Sequence, residues 1–184
     1  MPVVIGLLRG VNVGGHNKIK MEVLRRLCES LGCEHVQTHI QSGNVLLRVA
    51  DRQVARMARR IEDAIEAEAG FRPVVITRSV SELRDAIDRS PFASRRDLDP
   101  RKLLVLFLAD EPTPECRRKL SAMNTEPEEV HLGQREVYMY FPNGMGRPKT
   151  GPAAIEKLLG MPGTGRNWKV VNDLLALAEK LEPK

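Results

Sequence analysis

Apolar and polar positions along the chain follow two periods, and their order predicts the fold. Residues 3–8, VVIGLL, are an unbroken, β-branched apolar run that stops at a glycine-rich loop, which marks a buried strand. Met21, Leu24, Leu27, Cys28 and Leu31 then recur at helical spacing, with Gly32 where a helix would end. EHVQTHI alternates, with Val36, Thr38 and Ile40 on one face and His35, Gln37, His39 and Gln41 on the other. SGN at 42–44 turns the chain into VLLRV, so a β-hairpin is expected. Val54, Met57, Ala58, Ile61 and Ile65 give a long helix that Gly70 ends, and RPVVITR is a further strand. The order β-α-β-β-α-β is the split βαβ arrangement.

The order then recurs. Ser79 and Glu82 form a capping-box pattern ahead of Leu83, Ala86 and Ile87, which predicts a connecting helix. KLLVLFLA is apolar on both faces and suits a central strand covered on two sides. Thr113-Pro114 is a helix start with proline at the first helical position. EEVHL and EVYMYF read as a second hairpin around Gly133, Pro152 opens a short helix ending near Gly160, and Val171, Leu174, Leu175, Ala178 and Leu181 give a final amphipathic helix. The fold class expected is α+β, with one split-βαβ half over 1–79 and a second over 80–184. The second half lacks its last strand and ends in a C-terminal helix. No Ser-, Pro- or Gly-rich linker separates the halves, so they are expected to pack tightly.

With 184 residues the chain has room for one large domain or two small ones. Its most hydrophobic run, LLVLFLA, is far too short to span a bilayer, and the N-terminus lacks the basic and small-residue pattern of a signal peptide. No membrane association and a cytoplasmic location are expected. Three cysteines, Cys28, Cys33 and Cys116, are an odd number without framework spacing, which fits free thiols in a reducing compartment.

The net charge of +5 is modest, but its distribution is uneven. Residues 1–20 carry Arg9, Lys18 and Lys20 and no acid; residues 143–169 carry five bases against Glu156 alone. These windows hold +3 and +4, leaving the rest of the chain at −2. Both are glycine-rich. In GVNVGGHNK (10–18) the glycines let the backbone approach a ligand, and the helix that follows offers its N-terminus to an anion, flanked by Arg9 and Lys18. The spacing is neither a dinucleotide fingerprint nor a Walker A loop. A tight strand-to-helix turn with solvated lysines is the preferred reading of this stretch taken alone.

NGMGRPKTG (143–151), with Arg147 and Lys149, also lies between a strand and a helix, and GTGRNWK (163–169) sets Arg166 beside Asn167 and Trp168 before the last helix. IQSGN (40–44) presents Gln41 and Asn44, although a hairpin turn alone explains it. Tyr138 and Tyr140 share a strand face, where base stacking competes with sheet packing through tethered hydroxyls; the latter is preferred, since no RNP-type run is present. Cys28, Cys33, His35 and His39 lack metal-ligand spacing, so no metal is expected, and no cofactor motif was found. The basic loops are almost free of Asp and Glu, which disfavours metal-assisted phosphoryl transfer and glycosidic hydrolysis and favours binding.

The segments LLRGVNVGGHNKIKM, IQSGNV, SPF, NGMGRPK, IEKLLG and GTGRNWKVVNDLL, in this order, resemble the bacterial family catalogued as domain of unknown function 1697. The resemblance implies two ferredoxin-like α+β halves and brings no activity. Its motif positions here are Arg9, Gly10, Asn12, Gly14, Gly15, Asn17, Lys18, Gln41, Ser42, Gly43, Asn44, Gly146, Arg147, Lys149, Arg166, Asn167 and Trp168. Pro148 stands where the family usually has serine. The functional expectation is a phosphate-containing ligand, a nucleotide or nucleic acid. Arg9, Lys18, Arg147, Lys149 and Arg166 would contact phosphates, with Gly14 and Gly15 in the loop. Asn12, Gln41 and Asn44 would supply directional hydrogen bonds, with Ser42, Asn167 and Trp168 nearby, and the loops would converge if the halves pack face to face. The alternatives are an enzyme acting on a small phosphorylated substrate through His16 or Ser42, and a non-catalytic structural or interaction protein.

Overall fold

A computed structural model describes residues 1–182. The chain forms two compact units, Met1–Leu83 together with the segment from Asp173 onward, and Arg84–Asn172. This differs from the division expected at 79/80 in placing the end of the last helix with the first unit.

The first unit contains β1 (Val3–Leu8), α1 (Met21–Ser30), β2 (Glu34–His39), β3 (Asn44–Arg48), α2 (Val54–Ala69) and β4 (Val75–Ser79), in an antiparallel sheet of order β2-β3-β1-β4. Helix α3 (Val80–Asp88) follows, opened by the expected capping box: Glu82 N donates to Ser79 Oγ at 3.1 Å and Ser79 N to Glu82 Oε2 at 2.8 Å. The second unit contains β5 (Leu103–Leu108), α4 (Pro114–Ala122), β6 (Glu129–Leu132), β7 (Glu136–Tyr140), α5 (Pro152–Leu159) and β8 (Gly163–Asn167), ordered β6-β7-β5-β8, and α6 (Trp168–Leu181) follows β8.

The α+β class and the two split-βαβ halves are present, but the second half does not lack its last strand. Residues 163–167 form β8, paired antiparallel with β5 from Leu108↔Gly163 to Leu104↔Asn167. Two glycines and no apolar run hide this strand in the sequence. The glycines have a packing reason: a Cβ on Gly163 would lie 2.9 Å from Leu106 Cδ1, so the leucine side chain takes the place of one on the edge strand.

The repeat extends to single hydrogen bonds. Leu8 N donates to Gly43 O and Leu108 N to Arg135 O, both at 2.8 Å; Arg9 N donates to Val74 O at 2.9 Å and Ala109 N to Pro162 O at 3.0 Å. Glu62 on α2 accepts the first amide of β4, Val75 N, at 2.9 Å, and Glu156 on α5 accepts the first amide of β8, Gly163 N, at 2.6 Å.

The central strands β1 and β5 are buried on both faces, which is why they read as unbroken apolar runs. In the first unit Val4, Leu8, Val45, Leu47 and Val75 pack with Leu24, Cys28, Met57, Ile61 and Ile65 of the helices, while Ile5, Leu7, Leu46 and Ile76 are buried on the other face. In the second, Leu106, Leu108, Val137, Met139 and Phe141 pack with Leu120, Ile155 and Leu159. Strand β2 departs from simple alternation. Its register shifts between Glu34 and Gln37, where His35 has φ 52°, and Ile40, which alternation sets on one face with Val36 and Thr38, lies 49% exposed in the turn.

Candidate functional site

The loop between β1 and α1 is built by its asparagines. Asn12 and Asn17 adopt positive φ, 55° and 49°, a conformation that asparagine tolerates better than most residues. Asn12 Nδ2 donates to Ile19 O at 2.9 Å and to Gln41 O at 2.8 Å, while Asn12 Oδ1 accepts from Ile19 N at 2.9 Å. Asn12 N donates to Asn17 O at 3.1 Å, and Asn17 Nδ2 closes on Gly10 O at 3.2 Å. The Asn12 side chain thus uses both donors and its oxygen to fold the loop and fasten it to the β2–β3 turn. It holds the site's walls rather than offering an amide to a ligand.

The same correction applies to Asn44. It is fully buried, and its Nδ2 donates to His39 O at 2.9 Å and Ser42 Oγ at 3.0 Å. Gly43 is required at this turn: its φ is +76°, and a Cβ there would lie 2.3 Å from Val11 Cγ2 and 2.8 Å from Leu8 Cβ.

Loop and turn together frame an open cavity of about 540 Å³ lined by Asn12, Gly15, Lys18, Ile19, Lys20 and Gln41. No acid lines it. Lys20 sits at the N-cap position of α1 and makes no side-chain capping bond, so the first amides of the helix lack the usual capping acceptor. The helix dipole and two exposed lysines act in the same direction at this opening. Four of the expected residues, Asn12, Gly15, Lys18 and Gln41, are brought together here; Arg9, Gly14 and Ser42 do not line the cavity. Lys20, which in the sequence stands out only through its charge, also lines the cavity.

The basic segments of the second unit are arranged differently. Arg147 and Lys149 are exposed, but the backbone of their loop already holds an anion. Glu128, 4% exposed, accepts from Lys149 N at 3.2 Å through Oε1 and from Thr150 N at 2.9 Å through Oε2. Arg166 is on β8, not on a loop, and is 6% exposed. Its Nη1 donates to Thr164 Oγ1 at 2.7 Å and Gly165 O at 2.8 Å, and burial pulls its pKa down to about 10. A guanidinium so enclosed is not presented to a ligand in solvent. Asn167 caps α6 by accepting Val170 N at 2.9 Å, and Trp168 is the first residue of that helix, half-buried. The basic loops lie in different units.

Tyr138 is buried, and its hydroxyl donates to Ala86 O at 2.6 Å, so it packs and tethers rather than stacking bases. Tyr140 is half-buried, its ring 6.2 Å from that of Phe92. Cys28 and Cys33 are buried, and the Cys33 thiol contacts Met57 Sδ at 3.6 Å. Burial pushes the Cys28 thiol up to about 12 and Cys33 in the same direction.

A model of the protein family described as "Protein of unknown function (DUF1697)" matches residues 1–138. The chain belongs to that family. The DUF1697 match takes in the β1–α1 loop and the β2–β3 turn that frame the cavity, while the segments around Arg147 and Arg166 lie beyond it. No curated protein matches. Among solved structures, the conserved bacterial protein SP0830 from Streptococcus pneumoniae is similar over 97% of this chain and 99% of its own, with a TM-score of 0.73 at 22% identity, a likeness of fold. Among the described residues, no helix is long and apolar enough to cross a membrane.

Proposed function

We propose that the first unit binds a phosphate-containing ligand of the nucleotide class in the cavity between the β1–α1 loop and the β2–β3 turn. One observation carries this reading: the uncapped N-terminus of α1 opens beside a cavity that Lys18 and Lys20 line and no acid does. The ligand's phosphate would sit at the helix end between the two lysines, and Gln41 at the rim would supply a directional contact. Binding is favoured over catalysis because neither His16 nor Ser42, the residues a phosphorylated-substrate enzyme would use, lines the cavity, and Ser42 Oγ already accepts Asn44 Nδ2. Three free cysteines, two of them buried, support a reducing, cytoplasmic setting.

The test is titration calorimetry with ATP, GTP, AMP and inorganic phosphate on the wild type and on Lys18→Gln/Lys20→Gln. Each lysine contributes roughly 0.5–1 kcal/mol to an anion at this position, so the double variant should bind about tenfold more weakly. Absence of binding by the wild type to the whole panel, or equal binding by the variant, overturns the reading.

A further inference from the structure

Charge on α2 is sorted along its length. Arg52, Arg56 and Arg59 are exposed at i, i+4 and i+7 along the helical turn that leads into α2 and along its first half, so they form one stripe. The acids gather at the other end, where Glu62, Asp63 and Glu66 all engage Arg72. Asp63, four residues beyond Arg59 and well placed to pair with it, turns to Arg72 instead. Among the described residues, none of the three arginines makes an ion pair or side-chain hydrogen bond; Asp51 is the one acid beside them in sequence at that end. Arg25 and Arg26 add two more exposed, unpaired arginines on α1, which packs on the same side of the sheet.

This arrangement opposes the fold's own electrostatics. The first turn of α2 carries no acid, so the cations sit at the end where the helix dipole favours anions. Arg52–Arg56 and Arg56–Arg59 are also like-charge neighbours, which repel. Among the described residues Asp51, at the start of the leading turn, is the one acid near enough to offset part of this cost, and it pairs with none of the three arginines; a bound polyanion would offset both. The stripe is about 10 Å long at 1.5 Å rise per residue, so its three extended guanidiniums can meet successive phosphates of a chain, a match that a single phosphate does not make use of. A membrane surface fits less well. The apolar side of α2, Met57, Ile61 and Ile65, is committed to the core, and the exposed large apolar residues, Met1, Val13, Ile40 and Met145, lie on other segments.

We infer that the Arg52–Arg56–Arg59 face is a docking surface for the phosphodiester backbone of a nucleic acid. It is a separate surface from the α1 cavity and stands or falls independently of it. Backbone contacts of this kind carry no base specificity, and each phosphate neutralised leaves its mark in the salt dependence.

The experiment is fluorescence anisotropy with a labelled single-stranded oligonucleotide over a salt series. It compares the wild type, Arg52→Gln/Arg56→Gln/Arg59→Gln, and a charge-matched control, Arg96→Gln/Arg118→Gln/Lys157→Gln, drawn from exposed residues elsewhere. The stripe variant loses mutual repulsion, so it should fold at least as well as the wild type, which a thermal melt checks. The expected result is salt-sensitive binding whose log–log slope falls by about 2 in the stripe variant, three contacts at roughly 0.7 each, with the control unchanged. Equal weakening in both variants would reduce the effect to net charge and overturn the proposal. So would the absence of wild-type binding at low salt, or binding to phosphatidylserine vesicles without binding to the oligonucleotide.

Discussion

Arg78 and Arg166 hold the same place in the two units. Arg78 lies opposite Ile5 on β4 and Arg166 opposite Val105 on β8; they are 2% and 6% exposed, and each donates Nη1 to the carbonyl of the residue before it at 2.8 Å. The next residue in each case, Ser79 or Asn167, caps the following helix. The two strands therefore share one device: a buried guanidinium bound by its own backbone, then a capping side chain that turns strand into helix.

Arg166→Ala is expected to destabilise the protein by about 3 kcal/mol. It removes the Nη1 donor that Thr164 Oγ1 and Gly165 O share and the packing of a long buried side chain. Arg166→Lys should recover less than half of this, because an ammonium is more strongly hydrated than a guanidinium and costs more to bury at this site. Urea denaturation midpoints measure both. A loss below about 1 kcal/mol for the alanine variant would mean the buried arginine is not structural.

Alkaline pH should reveal the buried thiol. Cys28 is raised from 9.0 to about 12 in the fold, so between those values the unfolded chain has released a proton that the folded chain retains. Cys28 thus stabilises the fold below pH 9, and that contribution is lost as pH rises toward 12, at up to about 1.4 kcal/mol per pH unit. In Cys28→Ala this part of the alkaline slope should disappear even though the variant starts less stable. The check is urea stability measured at steps from pH 8 to pH 11 in both proteins. Parallel slopes would rule out Cys28 as the group responsible.

How much was legible in the sequence follows from where the information lay. Strands β1 and β5 were visible because apolar β-branched runs bounded by loops have few other readings, and α2 because its stripe is long and Gly70 stops it. Strand β8 was hidden because the side chains that fill its place, Leu104 and Leu106, belong to its neighbour. The positive loops were found by charge, but charge does not say which amides are already engaged. Glu128 is some twenty residues from the amides it binds, and Asn12 meets Gln41 only through the fold. What survives as a candidate site, Lys18 and Lys20 at the start of α1, is what a local pattern can show: a glycine loop, two bases and a helix start with no capping side chain.

Gly43→Ala should cost about 3 kcal/mol or more, because the added methyl meets Val11 and Leu8 in the core and the left-handed φ disfavours any side chain. The turn also holds the cavity wall through the bond from Asn12 to Gln41 O, so any nucleotide affinity should fall with it even where the variant remains folded. A urea titration beside a binding titration at a temperature below the transition separates the two effects.

Glu128 gives the clearest test of how the second basic loop works. Its carboxylate accepts the Lys149 and Thr150 amides just ahead of α5, the position where an external anion would otherwise bind. Glu128→Ala leaves two buried or half-buried amides without an acceptor and should cost about 2 kcal/mol, with hydrogen exchange at Thr150 rising at least tenfold. The vacated place is shaped for a carboxylate, so formate or acetate should restore part of the stability of the variant while leaving the wild type unchanged. Equal effects of formate on both proteins would show general salt stabilisation instead. Unchanged exchange at Thr150 would show that the loop is held by other contacts and that Glu128 is incidental to it.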